Sequence, residues 1–158
     1  MNKRARSRTG LTTLAALTAL TTAACSNTQA SDDAPPTPSP SAANGTDVSA
    51  CTDGECEITV AKPVTLHFPG PGGSGRATLS VTEVGPNKIE YEVKSGSNSS
   101  KGAAHGPDQG CLTYLREHGS GNSCGSLAGT RPSPQPDTVV IQATTDTDGT
   151  ALLHIVSP

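Results

Sequence analysis

The chain has 158 residues, 16% of them charged and 32% hydrophobic, with a formal net charge of −3, a length that suits one domain. Phe68, Tyr91 and Tyr114 are its only aromatics, so ring burial cannot dominate a core. Lys3, Arg4, Arg6 and Arg8 crowd the N-terminus; without them seven bases face 14 acids, a net of −7, which excludes a nucleic-acid footprint and electrostatic adhesion to an anionic bilayer.

Met1 to Arg8 reads as a basic n-region. The uncharged stretch from Leu11 to Ala24 comes next, with Leu11, Leu14, Leu17 and Leu20 among Ala and Thr. At about 14 residues it is short for a membrane-spanning helix, which needs roughly 20, and it fits a signal h-region. The segment ends Thr22-Ala23-Ala24-Cys25. That ending resembles the lipobox of bacterial lipoproteins, although Thr22 stands where Leu is usual. Thr22-Ala23-Ala24 also fits an ordinary signal-peptidase site. The lipobox resemblance implies cleavage before Cys25, a diacylglyceryl thioether on its sulfur and often an N-acyl chain. Two or three chains anchor a protein stably, at about 0.8 kcal/mol per buried methylene. Residues 1–24 are thus expected to be a signal peptide, and Cys25 the site of lipid attachment.

Residues 25–50 carry Asp32-Asp33 and then Pro35-Pro36-Thr37-Pro38-Ser39-Pro40, with Val48 the one large apolar side chain. Such a stretch buries too little to offset its ordering entropy. A disordered tether is expected, extended where proline is dense. The sequons at Asn44 and Asn98 are chance matches in a chain with a bacterial-type signal.

From Cys51 to Pro158 the pattern alternates with a period of two. Ile58 and Val60 alternate with Glu57 and Thr59; Val64, Leu66 and Phe68 share a face; Leu79 and Val81 continue the pattern. Lys88 to Lys94 places Ile89, Tyr91 and Val93 on one side and four charges on the other. Val139 and Ile141 are expected to pair with a run through Leu153 and Ile155 across a turn at Asp148-Gly149. Pro86-Asn87 marks another turn and Lys62-Pro63 a break. Gly70–Arg76 and Gly96–Gly110 read as long polar loops. Cys111 to Leu127 admits two helical turns stopped at Gly119, but a hairpin is preferred, turning at Gly119-Ser120-Gly121 with Cys111 facing Cys124. The expected fold is all-β: a small antiparallel sandwich or barrel of about seven or eight short strands.

Leu, Ile, Val and Phe number 20 among the last 108 residues, a thin core that covalent staples would help. With Cys25 assigned to the lipid, Cys51, Cys56, Cys111 and Cys124 remain. An export signal implies an oxidising compartment, hence disulfides. Of three possible connectivities the local one is favoured, Cys51 with Cys56 and Cys111 with Cys124. Closing the larger loop is worth about 3 kcal/mol in the chain-entropy picture.

Several patterns imitate chemistry. Gly70-Pro71-Gly72-Gly73-Ser74-Gly75 has dinucleotide-site spacing, but Arg76 to Val81, directly after it, alternates like a strand, where the phosphate site needs a helix. Gly121-Asn122-Ser123-Cys124-Gly125 has the spacing of a nucleophile elbow, with Asp137 and His154 downstream in hydrolase order. Residues 126–132 make a poor helix for that elbow. His105 and His118 with Cys111 and Cys124 could be drawn as a zinc set, but oxidised sulfurs do not ligate zinc. His67 and His154 are expected on solvent faces. Asp146-Thr147-Asp148-Gly149 lacks the closing Glu of a calcium loop. Glu90 and Glu92 read as a solvated strand face.

The signal, the lipobox-like ending, the Pro/Ser/Thr linker and the Cys-paired β domain together resemble small cell-envelope lipoproteins of the actinobacterial type. The specific resemblance covers residues 1–25. It implies an extracytoplasmic protein held on the cell membrane by its lipid. The functional expectation is a non-enzymatic binding or structural module, with an envelope ligand or protein as partner, no nucleic acid, no cofactor and no metal. The alternatives are a small secreted hydrolase using Ser123 and a metal-binding envelope protein.

Overall fold

The protein is described by a computed structural model that covers residues 42–73 and 75–158. The expected signal peptide, Cys25 and the linker through residue 41 lie outside the described residues. Nine strands are arranged in chain order: β1 (Glu55–Val60), β2 (Val64–Pro69), β3 (Arg76–Gly85), β4 (Lys88–Ser95), β5 (Asn98–His105), β6 (Gln109–Arg116), β7 (Gly119–Ser126), β8 (Val139–Thr145) and β9 (Ala151–Val156). They form two antiparallel sheets. One has five strands in the order β1-β9-β8-β6-β7, the other four in the order β2-β3-β4-β5.

Alternation assigns the inner faces. Ile58, Leu153, Ile155, Ile141 and Leu115 point from the larger sheet, and Leu66, Phe68, Leu79, Ile89 and Val93 from the smaller. The expected disulfides are both present, Cys51–Cys56 and Cys111–Cys124. Tyr91 joins the sheets. Its ring lies over the Gly102 position of the neighbouring strand, where a Cβ would overlap it. Its hydroxyl meets Thr113 Oγ1 of β6 at 2.8 Å, in the core. Burial pushes that phenol up to about 12, so it stays a neutral hydrogen-bonding group.

Four details depart from the sequence reading. The strand count is nine rather than seven or eight, because the expected Gly96–Gly110 loop contains β5. That strand has few β-formers, but it pairs along its whole length with β4. The linker reading also ended too late. From Ala42 onward the chain is part of the domain: Asn44 N donates to Glu57 O at 2.9 Å, and Thr59 N to Gly45 O at 2.8 Å. A 3-10 turn, Val48–Asp53, then caps itself with Asp47, whose side chain accepts from Ser49 N. Hydrogen bonds from the Ser49 hydroxyl and the Ser49 N–H lower the Asp47 carboxyl below its ordinary value.

The β6–β7 turn is two residues earlier than expected. Cys111 stands opposite Cys124 and Arg116 opposite Gly119, which leaves Glu117-His118 as the turn and puts Gly119 to Gly121 inside β7. Finally, His154 is not solvent-exposed: it points to the outer side of its sheet but is 1% exposed. The remaining turns fall where read. Gly85 pairs with Lys88 across Pro86-Asn87, with Asn87 at φ 54°, a conformation asparagine tolerates. Thr145 pairs with Ala151 around Gly149 at φ 89°.

Three of the four sheet edges are bonded to neighbouring segments. Ser120 Oγ of β7 donates to Ser99 O of β5 at 3.3 Å, and Asn98 Nδ2 donates to Glu117 O at 3.3 Å. Asn122 Nδ2 also donates to Lys101 O. Side chains therefore stitch the β5 and β7 edges together. On the far side, Ala43 to Gly45 bond along β1. Edge strands covered this way are poor templates for unwanted pairing.

Candidate functional site

A well-formed concavity lies at one end of the five-stranded sheet. It is a cleft of about 530 Å³, walled by Arg116 to Gly121 on one side, Pro136 to Thr138 on the other, and Gly72 of the β2–β3 loop. Register explains why these segments meet. β6 and β8 are neighbours, with Leu115 opposite Val139, so the residue after β6 and the residue before β8 emerge side by side. Asp137 sits at φ 52°, the left-handed region that Asp enters more readily than most residues. Thr138 Oγ1 donates back to Pro136 O at 3.0 Å and Thr138 N to Gln135 O at 3.3 Å, which fixes this wall.

The cleft mixes polar with apolar surface and carries both signs of charge. The Arg116 guanidinium carbon lies 5.9 Å from the Tyr114 ring centroid, a geometry in which the ring face attracts the cation. His118 Nε2 is 3.8 Å from Glu117 Oε2, both side chains well exposed. Gly119 and Gly121 bring main chain to the surface with no side chain in front of it. Such a surface can hold a polar ligand by charge and backbone hydrogen bonds. It holds no buried acid–base pair among the described residues.

The elbow-like set is not assembled. Ser123 faces outward from β7, in the same cross-strand row as Leu112, Gln142, His154 and Glu57. Three strand spacings separate it from His154, about 14 Å, and Asp137 lies at the cleft. Ser123 also sits within β7, so the strand-turn-helix geometry of an elbow is absent there. The drawn zinc set is dispersed as well. Cys111 and Cys124 are spent in their disulfide, His118 is in the turn, and His105 ends β5 with its Nε2 3.6 Å from Glu90 Oε1. Among the described residues no group of three or more His, Cys, Asp or Glu is placed to hold a metal ion. The Gly70–Gly75 segment links β2 to β3, with Gly70 N donating to Gly75 O at 2.7 Å.

Sequence reasoning missed the cleft as a site, because its walls come from three loops distant along the chain. One signal was present. A cross-strand disulfide between opposed residues puts the turn midway, between Glu117 and His118, and so marks Arg116 to Gly119 as a protruding tip. Among the described residues no helix is long and apolar enough to cross a membrane. Comparison with known protein families, with characterised proteins and with solved structures finds no match to this chain.

Proposed function

We propose that the chain is an extracytoplasmic lipoprotein, held on a membrane through acylated Cys25, whose β domain binds a polar ligand or partner of the cell envelope in the cleft beside the β6–β7 turn. The observation that carries the address is the cysteine accounting. Four of the five cysteines close two disulfides, as expected for an oxidising compartment. That leaves Cys25, at the lipobox-like position, with no cysteine of the chain to pair with. The cleft supports a binding role: it is concave, carries charged groups of both signs and is made of loops set on a rigid scaffold.

The intact mass of the membrane-extracted protein, with thiol alkylation before and after reduction, tests the address. The expected result is a chain that begins at Cys25, carries acyl chains, and offers four thiols only after reduction. A chain without lipid removes the anchor. The cleft is tested by amide chemical shifts of the labelled protein titrated with amino acids, dipeptides and disaccharides. Shifts confined to Arg116–Gly121 and Pro136–Thr138 are expected from at least one class. Shifts only elsewhere, or none with any probe, remove the cleft as the binding site.

A further inference from the structure

The segment between β7 and β8, residues 127–138, crosses the outer face of the five-stranded sheet. An ideal Cβ at Gly110 of β6 would stand 3.2 Å from Leu127 Cδ1, and one at Gly129 3.7 Å from Leu152 Cδ2 of β9. Between these points Ala128 O accepts from Gln142 Nε2 of β8 at 2.7 Å. Arg131 then pairs with Glu55 of β1. The strap thus runs over β6, β8, β9 and β1 in turn. Few bonds hold it. Leu127 N donates to Asp108 O at 3.1 Å, and Pro132, Pro134 and Pro136 have no N–H to give.

His154 lies in the middle of this face. Its Nε2 is 3.1 Å from Glu57 Oε2, while its Nδ1 is buried with no hydrogen-bond partner. The charged groups around it, among the described residues, are Glu57 and Glu55 on β1 and Arg131 on the strap; its cross-strand neighbour on β8 is the neutral Gln142. We propose that the strap is an acid-released cover: protonation of His154 gives Nδ1 a proton with no acceptor in the closed arrangement, and the strap lifts to let water reach it.

The neutral ring suits the closed state. Nε2–H donates to Glu57, and Nδ1 keeps only an unused lone pair. A second proton makes Nδ1 a charged buried donor without a partner, the most costly kind of unsatisfied group. Glu57 attracts the imidazolium, and Arg131 repels it. Burial is the largest influence and holds the His154 ring below the ordinary histidine value. Linkage sets the sign. With the folded, closed value depressed, closure is fully favoured above the ordinary value, near 6.5. It is lost as pH falls from there through the closed-state value. The strap ends in Pro136, Asp137 and Thr138, one wall of the cleft, so opening would remodel that wall. This consequence rests on the cleft being the binding site; the opening itself does not.

Hydrogen exchange of the full protein at pH 7.5 and pH 5.0, corrected for the intrinsic rate, tests the cover. Exchange of the Leu127 to Arg131 amides should accelerate by up to about tenfold per pH unit below the ordinary value, with β3 and β4 unchanged. His154→Gln, neutral at every pH, should abolish that acceleration. If that variant does not fold, the proton-NMR titration of His154 in the native protein decides. Its midpoint should lie below the ordinary histidine value, at the pH where the acceleration of strap exchange levels off. Strap protection that does not change with pH overturns the proposal, and so does acid loss of protection equal in the strap and in β3–β4. Neither result bears on ligand shifts at the cleft.

Discussion

The two sheets treat their outer faces in opposite ways. The outer side of β2 to β5 carries Thr65, His67, Thr78, Ser80, Glu90, Glu92, Lys94 and Lys101, in contact with water. Its ion pairs are surface pairs: Lys88 with Glu83 at 2.7 Å and Lys94 with Glu92 at 3.1 Å. Glu83 raises the Lys88 ammonium, and Lys94 lowers the Glu92 carboxyl, but exposed pairs of this kind contribute little to stability. The outer side of β8 and β9 carries Val140, Gln142, Thr144, Leu152, His154 and Val156, all buried. These two strands are therefore enclosed on both faces and read as nearly continuous apolar runs, the pattern of a covered strand rather than a half-solvated one. The lesson is that the thin core found by counting is supplemented by a second apolar layer, sealed by an irregular strap.

The largest effect expected from this contrast is a charge placed under the strap. Val140→Lys puts an ammonium at a position 1% exposed, facing the covered side. An unpaired buried charge should cost about 3–5 kcal/mol, read as a lower denaturant midpoint with an unchanged slope. A loss below about 0.5 kcal/mol, the range of ordinary surface substitutions, would mean that the strap does not seal the face in solution, and the asymmetry between the sheets would collapse.

Legibility in the sequence divides along the same line. Strands with strict alternation, β1 to β4, could be read because one side of each is wet and the other buried. β5 could not. Its inward positions are Gly102 and Ala104, small because Tyr91 reaches across and fills the space over Gly102. The signal of that strand is carried by its neighbour's side chain. His154 shows a subtler limit. Alternation places it on the outer side, correctly, but side and exposure are separate facts. Nothing local to β9 says that residues 127–138 will return across it. The disulfides were legible in full, since two cysteine pairs that lie close in sequence leave few alternatives. The cleft was legible only in fragments, as a glycine-rich turn and an isolated Asp137, because no linear pattern joins three loop tips.

The smallest expected effect is on the open face. Thr65→Lys adds the same ammonium as Val140→Lys, but at an exposed position of β2, an edge of its sheet. Thr65 stands opposite Ser80, which stands opposite Glu92, so the nearest carboxylate in that row is two strand spacings off, about 10 Å. At that distance, in water and salt, attraction is largely screened. The long side chain keeps its charge solvated, and lysine on an edge strand discourages pairing with other chains. The change in stability should lie within about 0.5 kcal/mol, measured by the same denaturant titration. A loss approaching that of Val140→Lys would mean that the Thr65 face is covered too, by a partner or a second copy, and the open face would then become the interaction surface to pursue.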